Sequence, residues 1–318
     1  MELIRGIHNL RPRHLGSVVT IGNFDGVHRG HQVILAGLKE AGQRLGLPDT
    51  VMVFEPQPQE FFLGADAPAR LMNWRDKIDA LAATGVERVL CVRFDEKFRG
   101  LTARQFVENL LVQGLGCRHL VIGDDFRFGC DRGGDFSMLQ ASGVEFGFEV
   151  VNTTTVVVQG GRVSSTRIRA AIKAGDFRLA ETLLGRPYSV SGHVVHGDKL
   201  GRTLGVPTAN IPPRRLHSPL SGIYTVTVEG AAENTVYGVA SVGRRPTVNG
   251  KDERIESYLL DFSSEIYGRR IRVTFHHKLR EELKFSSLEE LKVAMAKDIA
   301  DARAYFNLPP SPTGRGLG

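Results

Sequence analysis

Val18-Val19-Thr20-Ile21 runs directly into Gly22-Asn23-Phe24-Asp25-Gly26-Val27-His28-Arg29-Gly30-His31, and a helical pattern follows from His31 to Leu45. A β-branched run, a glycine-rich turn and an amphipathic stretch make the opening of a strand-crossover unit. The alternation continues downstream. Val51-Met52-Val53-Phe54 precedes a helical pattern from Trp74 to Ala83, and Val89-Leu90-Cys91-Val92 precedes another from Ala103 to Val112. His119-Leu120-Val121-Ile122 then precedes Phe136 to Ala141, a helical stretch, and the strand-like Phe146 to Val151. Strands separated by helix-length segments pair in parallel, which predicts a doubly wound α/β sheet to about residue 185, with ligands beyond the carboxyl ends of its strands.

After Gly185-Arg186-Pro187 the pattern changes to β segments broken by Gly and Pro: Tyr188 to Val195, Ile223 to Val228, Val236 to Val242, Ile255 to Phe262 and Ile271 to Phe275. A small closed or nearly closed barrel is the simplest way to remove the exposed edges of such strands. One strong helix ends the domain. Ser286-Ser287-Leu288-Glu289 can form a capping box, and Leu288, Leu291, Met295, Ile299, Ala302 and Phe306 recur on one helical face that should pack on the barrel. The expected organisation is therefore 1–185, 186–307 and a frayed tail at 308–318, rich in Pro and Gly.

A chain of 318 residues suits two such domains, with an ordinary globular composition. The net charge is +6, and five of the six excess positive charges lie beyond residue 185, a bias that suits phosphorylated ligands as well as a nucleic-acid surface. No aromatic-rich RNA-binding signature or dense basic stripe accompanies it, so no nucleic-acid partner is expected. No apolar run approaches the roughly 18 residues of a spanning helix, and Met1 to Leu10 lack the apolar core of a signal peptide. The expectation is a cytoplasmic protein with no membrane partner, acting as a monomer or weak homo-oligomer. Cys91, Cys117 and Cys130 are odd in number and widely spaced, as packed reduced thiols would be.

The turn after the first strand carries chemistry. Gly22, Gly26 and Gly30 clear space for a phosphate, helix N-terminal amides favour anions, and His28 and His31 lie three residues apart on one helical face. Two imidazoles beside one phosphate suit attack by a substrate phosphate on the α-phosphorus of ATP, with positioning and electrostatic stabilisation as the source of rate. Capping of the helix, or metal binding, is the alternative for a bare H-x-x-H pair.

Two further clusters join this one. Ser164-Ser165-Thr166-Arg167-Ile168-Arg169 precedes a helical stretch from Ala170 to Ala174; its hydroxyls either cap that helix or, with Arg169, clamp a triphosphate. Gly123-Asp124-Asp125-Phe126-Arg127-Phe128-Gly129 follows a strand at its carboxyl end, where its carboxylates either hold magnesium or a ribose or form a turn, and Arg127 and Arg132 add positive charge.

The β domain holds Gly197-Asp198-Lys199-Leu200-Gly201-Arg202-Thr203-Leu204-Gly205-Val206-Pro207-Thr208-Ala209-Asn210. The G-x-x-x-x-G-K-[ST] spacing is absent, yet glycines with Lys199 and Arg202 can wrap a polyphosphate, while Thr208 and Asn210 offer oxygens to a hard cation; a plain loop is the alternative. Glu256 interrupts the apolar run Ile255 to Phe262. Alternation either sends it to solvent or aims it into a ligand cavity, where it can take a proton from a substrate hydroxyl.

In order and spacing, G-N-F-D-G-V-H-R-G-H, G-D-D-F-R-F-G and S-S-T-R-I-R resemble the motifs of the FMN adenylyltransferase half of bacterial FAD synthetases, and Pro207-Thr208-Ala209-Asn210 resembles the signature of their riboflavin kinase half. Gly243-Arg244-Arg245-Pro246-Thr247 and Leu279 to Phe285 are similar to the family pattern as well, so the resemblance reaches nearly the whole chain up to Phe306. It implies a Rossmann-like nucleotidylyltransferase domain followed by a β-barrel riboflavin kinase domain with a C-terminal helix. The implied reactions use ATP and Mg2+ to convert riboflavin to FMN, and ATP and FMN to FAD and pyrophosphate.

By the same likeness His28 and His31 stabilise the ATP phosphates, with Gly22, Asp25, Gly26 and Arg127 in the same binding loops. Asp125 serves magnesium or nucleotide, and Ser165, Thr166 and Arg169 hold the triphosphate. In the kinase half, Thr208 and Asn210 receive magnesium and the ATP phosphates, Gly197, Lys199, Gly201 and Arg202 wrap the nucleotide, and Glu256 is the base toward the ribityl hydroxyl. Phe54-Glu55-Pro56 resembles a flap over the flavin, and Tyr258 departs from the His that family members often carry there.

Overall fold

Among the described residues, six strands form one parallel sheet in the order β1-β4-β3-β2-β5-β6: β1 (Glu2–Arg5), β2 (Ser17–Ile21), β3 (Asp49–Glu55), β4 (Arg88–Arg93), β5 (Cys117–Ile122) and β6 (Glu149–Asn152). The structure is a computed structural model that describes residues 1–123, 125–153, 155–196, 208–212, 217–247 and 250–309. The helices of this part are α1 (Arg29–Leu45), α2 (Pro58–Leu63), α3 (Trp74–Ala83), α4 (Glu96–Arg99), α5 (Ala103–Gln105) and α6 (Phe136–Phe146). β2 is buried at every position, as a parallel strand covered on both faces must be.

Counted from β2, the strand order is that of a dinucleotide-type sheet, and it reverses between β2 and β5. β1, outside the expected strands, is a short edge strand that pairs with β4 from Glu2 opposite Arg88 to Arg5 opposite Cys91. Phe146 to Val151 is not one strand. Residues to Phe146 complete α6, Gly147 ends it in the left-handed region at φ 75°, and β6 starts at Glu149. The helix expected from Ala103 to Val112 is α-helical only to Gln105. It widens to π-type winding over Phe106–Val112, which keeps Phe106, Val107, Leu110 and Leu111 all in the core.

A two-strand ribbon, β7 (Val157–Val158) with β8 (Gly161–Arg162), precedes α7 (Ser165–Lys173) and α8 (Phe177–Leu184). The chain packs into two compact units, one of Met1–Pro68 with Lys77–Ser164, the other of Ala69–Asp76 with Ser165–Gly318. This division falls upstream of the composition change at Gly185. Within the second unit α8 inserts Phe177 among the barrel aromatics, its ring 5.6 Å from Tyr224 edge to face and 6.2 Å from Phe275 in a stack.

The β segments are β9 (Ser189–His193), β10 (Thr208–Ile211), β11 (Gly222–Glu229), β12 (Val236–Thr247), β13 (Gly250–Leu259) and β14 (Arg270–Arg280), and they form an antiparallel sheet in the order β10-β13-β12-β11-β14-β9. The sheet curls into a half-barrel whose two ends meet where the Val195 N–H donates to Asn210 O at 2.9 Å. A Cβ at Gly192 would stand 2.1 Å from the Ile211 methyl, so the bare glycine of β9 admits the buried β10 side chain across this closure. β10, absent from the expected strands, thus supplies one edge of the barrel.

The final helix, α9 (Leu288–Tyr305), docks through Ile299 and Ala302 onto Ile223 and Val239 of the sheet's outer face. Its first turns do not follow the expected packing, since Leu288 is 59% exposed. Its capping pair is one residue later than expected: Ser287 Oγ accepts from Glu290 N, and the Ser286 N–H donates back to the Glu290 carboxylate. Asp298, buried, holds Arg280 of β14 through two bonds of 2.8 and 2.7 Å. No helix of the described residues is long and apolar enough to cross a membrane.

Candidate functional sites

Where β2 and β5 run side by side, Thr20 stands opposite Val121, so the loops opened by Gly22 and Gly123 leave the sheet together at its strand-order reversal. Such a crevice is where open α/β sheets bind ligands. The first loop is tightly wound: Phe24, Gly26 and Val27 have φ of 46°, 88° and 40°. A β-branched residue in that region is strained, and it persists because Phe24, Asp25, Val27 and His28 are all buried.

His28 caps α1, its Nδ1 accepting the His31 backbone N–H at 3.2 Å. That bond assigns the lone pair to Nδ1 and the ring proton to Nε2, so the neutral ring presents an Nε2–H donor. The two imidazoles stack at 3.6 Å with 13° between their planes, and Phe24 lies 4.9 Å behind His31. Glycines were expected to clear room for a phosphate, but two of them make room for rings. A Cβ on Gly22 would come within 3.2 Å of Phe24, and one on Gly30 within 3.1 Å of the His28 ring. The capping and phosphate readings of His28 are therefore compatible, because one ring edge serves the helix and the other projects an N–H.

Beyond β5, the Asp125 carboxylate is 3.6 Å from Arg162 and largely exposed, and Arg127 donates to the carbonyl of Phe126 at 2.9 Å. Asp124 lies outside the described residues. What the sequence reading missed is aromatic. Phe54 at the end of β3, Phe61 and Phe62 of α2, Phe94 after β4, Phe98 of α4, and Phe106, Phe126 and Phe128 form a chain of rings with centroids 5.1 to 6.2 Å apart. Phe62 is 58% exposed, and Arg99 lies over its ring. Phenylalanines following the carboxyl ends of three successive strands were the available signal.

In the second unit, α7 begins at Ser165, five residues earlier than expected, so Ser165 and Thr166 occupy its first turn and Arg169 the next. Arg169 Nε donates to the carbonyl of Ala69.

The barrel collects the other residues. Asn210 of β10 stands opposite Glu256 of β13, Thr208 opposite Tyr258, and on the far side of β13 Ser241 of β12 neighbours Glu256. Ile255, Ser257 and Leu259 face the barrel interior and are buried, so alternation puts Glu256 on the outer face, half-buried beside Asn210 and Thr208. Asn210 is buried; its amide N donates weakly to Thr208 O at 3.4 Å, and its Oδ1 is shielded from solvent with no hydrogen-bond partner among the described residues. A buried unsatisfied carbonyl is costly, and a hard cation accepts such an oxygen well. Close by, the Glu282 carboxylate packs on Gly243, where a Cβ would stand 1.9 Å from its oxygen. Gly197, Lys199, Gly201 and Arg202 lie outside the described residues.

Comparison with known proteins also divides the chain in two. Residues 10–167 match the FAD synthetase family model and residues 184–306 match that of riboflavin kinase. A bifunctional riboflavin kinase/FMN adenylyltransferase of Pseudomonas fluorescens is 54% identical over 305 residues, covering 96% of this chain and 97% of that protein. Its counterpart in Escherichia coli (strain K12) is 52% identical over 309 residues, covering 97% and 99%. A solved structure described as a macrolide-efflux protein from Streptococcus pneumoniae is 32% identical and superposes with a TM-score of 0.77 over 95% of this chain and 99% of that one.

Proposed function

The chain belongs to the bifunctional riboflavin kinase/FMN adenylyltransferase family, and from that premise we propose how its residues divide the two reactions. Phosphorylation of riboflavin to FMN and adenylyl transfer to FMN both take ATP as co-substrate. The catalytic domains are residues 1–185 and 186–307, followed by a tail at 308–318.

In the kinase, Glu256 takes the proton of the ribityl hydroxyl as its oxygen attacks the γ-phosphorus of ATP and ADP leaves. The observation that carries this reading is the buried Asn210 Oδ1, without a hydrogen-bond partner among the described residues, directly across a strand pair from that carboxylate. Asn210 and Thr208 are the oxygens that would hold Mg2+, whose charge, when bound, offsets that of the phosphates. Gly197, Lys199, Gly201 and Arg202 wrap the nucleotide.

In the adenylyltransferase, a phosphate oxygen of FMN forms a bond to the α-phosphorus of ATP while the bond to the departing pyrophosphate breaks. The His28 Nε2–H and His31 donate to the oxygens on which charge develops, at the amino end of α1. Gly22, Asp25, Gly26 and Arg127 line the nucleotide loops, Asp125 serves magnesium or nucleotide, and Ser165, Thr166 and Arg169 hold the triphosphate. The flavin ring lies against the phenylalanine chain, with exposed Phe62 as its outer wall. The protein works in the cytoplasm as a monomer or weak homo-oligomer, without nucleic-acid or membrane partners.

A time course with riboflavin, Mg2+ and ATP, separated by chromatography, tests the division of roles when run on two variants. Glu256→Gln should still convert FMN to FAD but form no FMN, and His28→Ala with His31→Ala should stop at FMN. Equal loss of both reactions in either folded variant would overturn the assignment of separate residues.

A further inference from the structure

Among the described residues β9 ends the barrel sheet, and no described strand pairs with the outer side of Ser191. Ser191, paired with Arg272 of β14 on the inner side, is buried, and so water cannot take the place of a missing strand there. Both of its backbone groups are met by side chains of the short segment Ala69–Asp76. The Ser191 N–H donates to Asp76 Oδ2 at 3.0 Å, and its carbonyl accepts from Asn73 Nδ2 at 2.9 Å. Two side chains thus reproduce one rung of a β ladder.

The clamp is internally braced. Asn73 Nδ2 also donates to Asp76 Oδ2 at 2.9 Å, the Asp76 N–H donates to Asn73 Oδ1 at 2.8 Å, and Arg270 of β14 lies 3.4 Å from Asp76 Oδ1. Asn73 and Asp76 are 7% and 8% exposed. The bond from the Asp76 N–H to Asn73 Oδ1 by itself is an ordinary cap of α3. A cap needs neither burial nor a partner on a strand more than a hundred residues away in the chain; both bonds to Ser191 span such a separation.

At the other end of the segment, the Ala69 carbonyl accepts from Nε of Arg169. Between the two ends the Arg70 N–H donates to His217 O at 3.1 Å and the Arg186 guanidinium contacts the Met72 sulfur at 3.6 Å, so the segment is pinned along its length within the second unit. A hydrogen bond at Nε fixes the plane of a guanidinium and with it the direction of both Nη groups, which is what bidentate phosphate recognition requires.

We infer that Asn73 and Asp76 are positioning residues for adenylyl transfer: by clamping the edge of β9 at Ser191 they hold the Ala69 carbonyl where it orients Arg169 for the triphosphate of ATP. The inference rests on the reading that Arg169 holds that triphosphate. One phosphate ligand of the adenylyl transfer is thus aimed by contacts made within the second unit, a barrel strand among them.

The test uses the full chain and measures KM for ATP in FMN-to-FAD conversion, kcat for riboflavin phosphorylation and the melting temperature. Asp76→Ala should raise that KM about tenfold, the order of one misdirected charge-assisted contact, with the kinase kcat within about twofold of the parent. Asp76→Asn keeps an acceptor for the Ser191 N–H and should retain most of the affinity. Asn73→Ser keeps a capping hydroxyl for α3 but cannot reach Ser191 O, so it should raise KM several-fold, and it decides the matter alone if Asp76→Ala does not fold. Asp76→Ala combined with Arg169→Ala should be no worse than Arg169→Ala. An unchanged KM in Arg169→Ala would remove the triphosphate role itself. A raised KM in Arg169→Ala with unchanged values in Asn73→Ser and Asp76→Ala, additive effects in the double variant, or parallel loss of both reactions would overturn the clamp.

Discussion

Asn210 on β10 and Glu256 on β13 face each other across an antiparallel pair, so a buried amide oxygen without a hydrogen-bond partner among the described residues stands beside a half-buried carboxylate. Side chains directly opposite on adjacent strands have Cβ atoms roughly 5 Å apart, close enough to act on one substrate group. Glu256→Gln should lower kcat for FMN formation by about 10²–10⁴-fold, the usual contribution of a positioned base, with little change in melting temperature. Asn210→Ala should instead raise the Mg2+ concentration needed for half-maximal rate, and because it removes an unsatisfied buried group it should not destabilise the fold. A single-turnover assay over a magnesium titration separates the two effects.

His28 has a structural duty as the cap of α1 in addition to its chemistry. His28→Ala therefore confounds the two, at about 1 kcal/mol of lost capping. His28→Asn restores a good cap without an imidazole. It should melt near the parent temperature yet lose FAD formation by roughly 10²-fold, the cost of one donor to a developing oxyanion. Recovery of activity in the Asn variant would show that capping was the whole role.

Asp298→Ala should loosen α9, because it removes both bonds to Arg280 and leaves that guanidinium at the helix-sheet contact without its carboxylate. The expected loss is about 2 kcal/mol, below the figure for a fully buried pair since Arg280 is partly exposed. Urea unfolding measures it, and hydrogen exchange should place the loosening in α9.

Burial holds the His276 imidazole below its ordinary pKa of 6.5, against a smaller opposing influence of Glu181. Its ring bonds the Thr227 hydroxyl at 2.8 Å and meets Phe306 edge to face. The unfolded chain binds this proton more readily than the folded one, so the stabilising contribution is complete above about pH 6.5 and disappears as pH falls through the folded-state value. Melting temperature should therefore decline below pH 6.5, and His276→Gln should flatten that part of the profile.

Much of this protein was legible along the chain. The β2 run, the glycine-rich turn and α1 were read within two residues of their bounds, because a strand buried on both faces and an amphipathic helix each impose a local residue pattern. The change to β structure after Gly185 was equally visible. β1 and β10 were not, since four residues carry too little periodicity and each owes its existence to a partner, β4 for one and β13 for the other. The capping register of α9 was ambiguous because Ser286 and Ser287 are each followed three residues later by glutamate, and only the packed helix selects Ser287 with Glu290.

Sequence alone determined which residue types are available: two histidines three apart after a strand, hydroxyls before a helix with an arginine one turn in, a Thr-x-Asn pair, and a glutamate in an apolar run. Those follow from local sterics and capping, which act over a few residues. Tertiary structure decided who meets whom. Gly22 and Gly123 leave adjacent strands because the sheet order reverses there, Glu256 faces Asn210 because of strand register, and Asp76 reaches Ser191 because an edge strand must have its polar groups met. Pairing and register are settled by hydrogen bonds and packing between residues distant in the chain, and no local pattern encodes them.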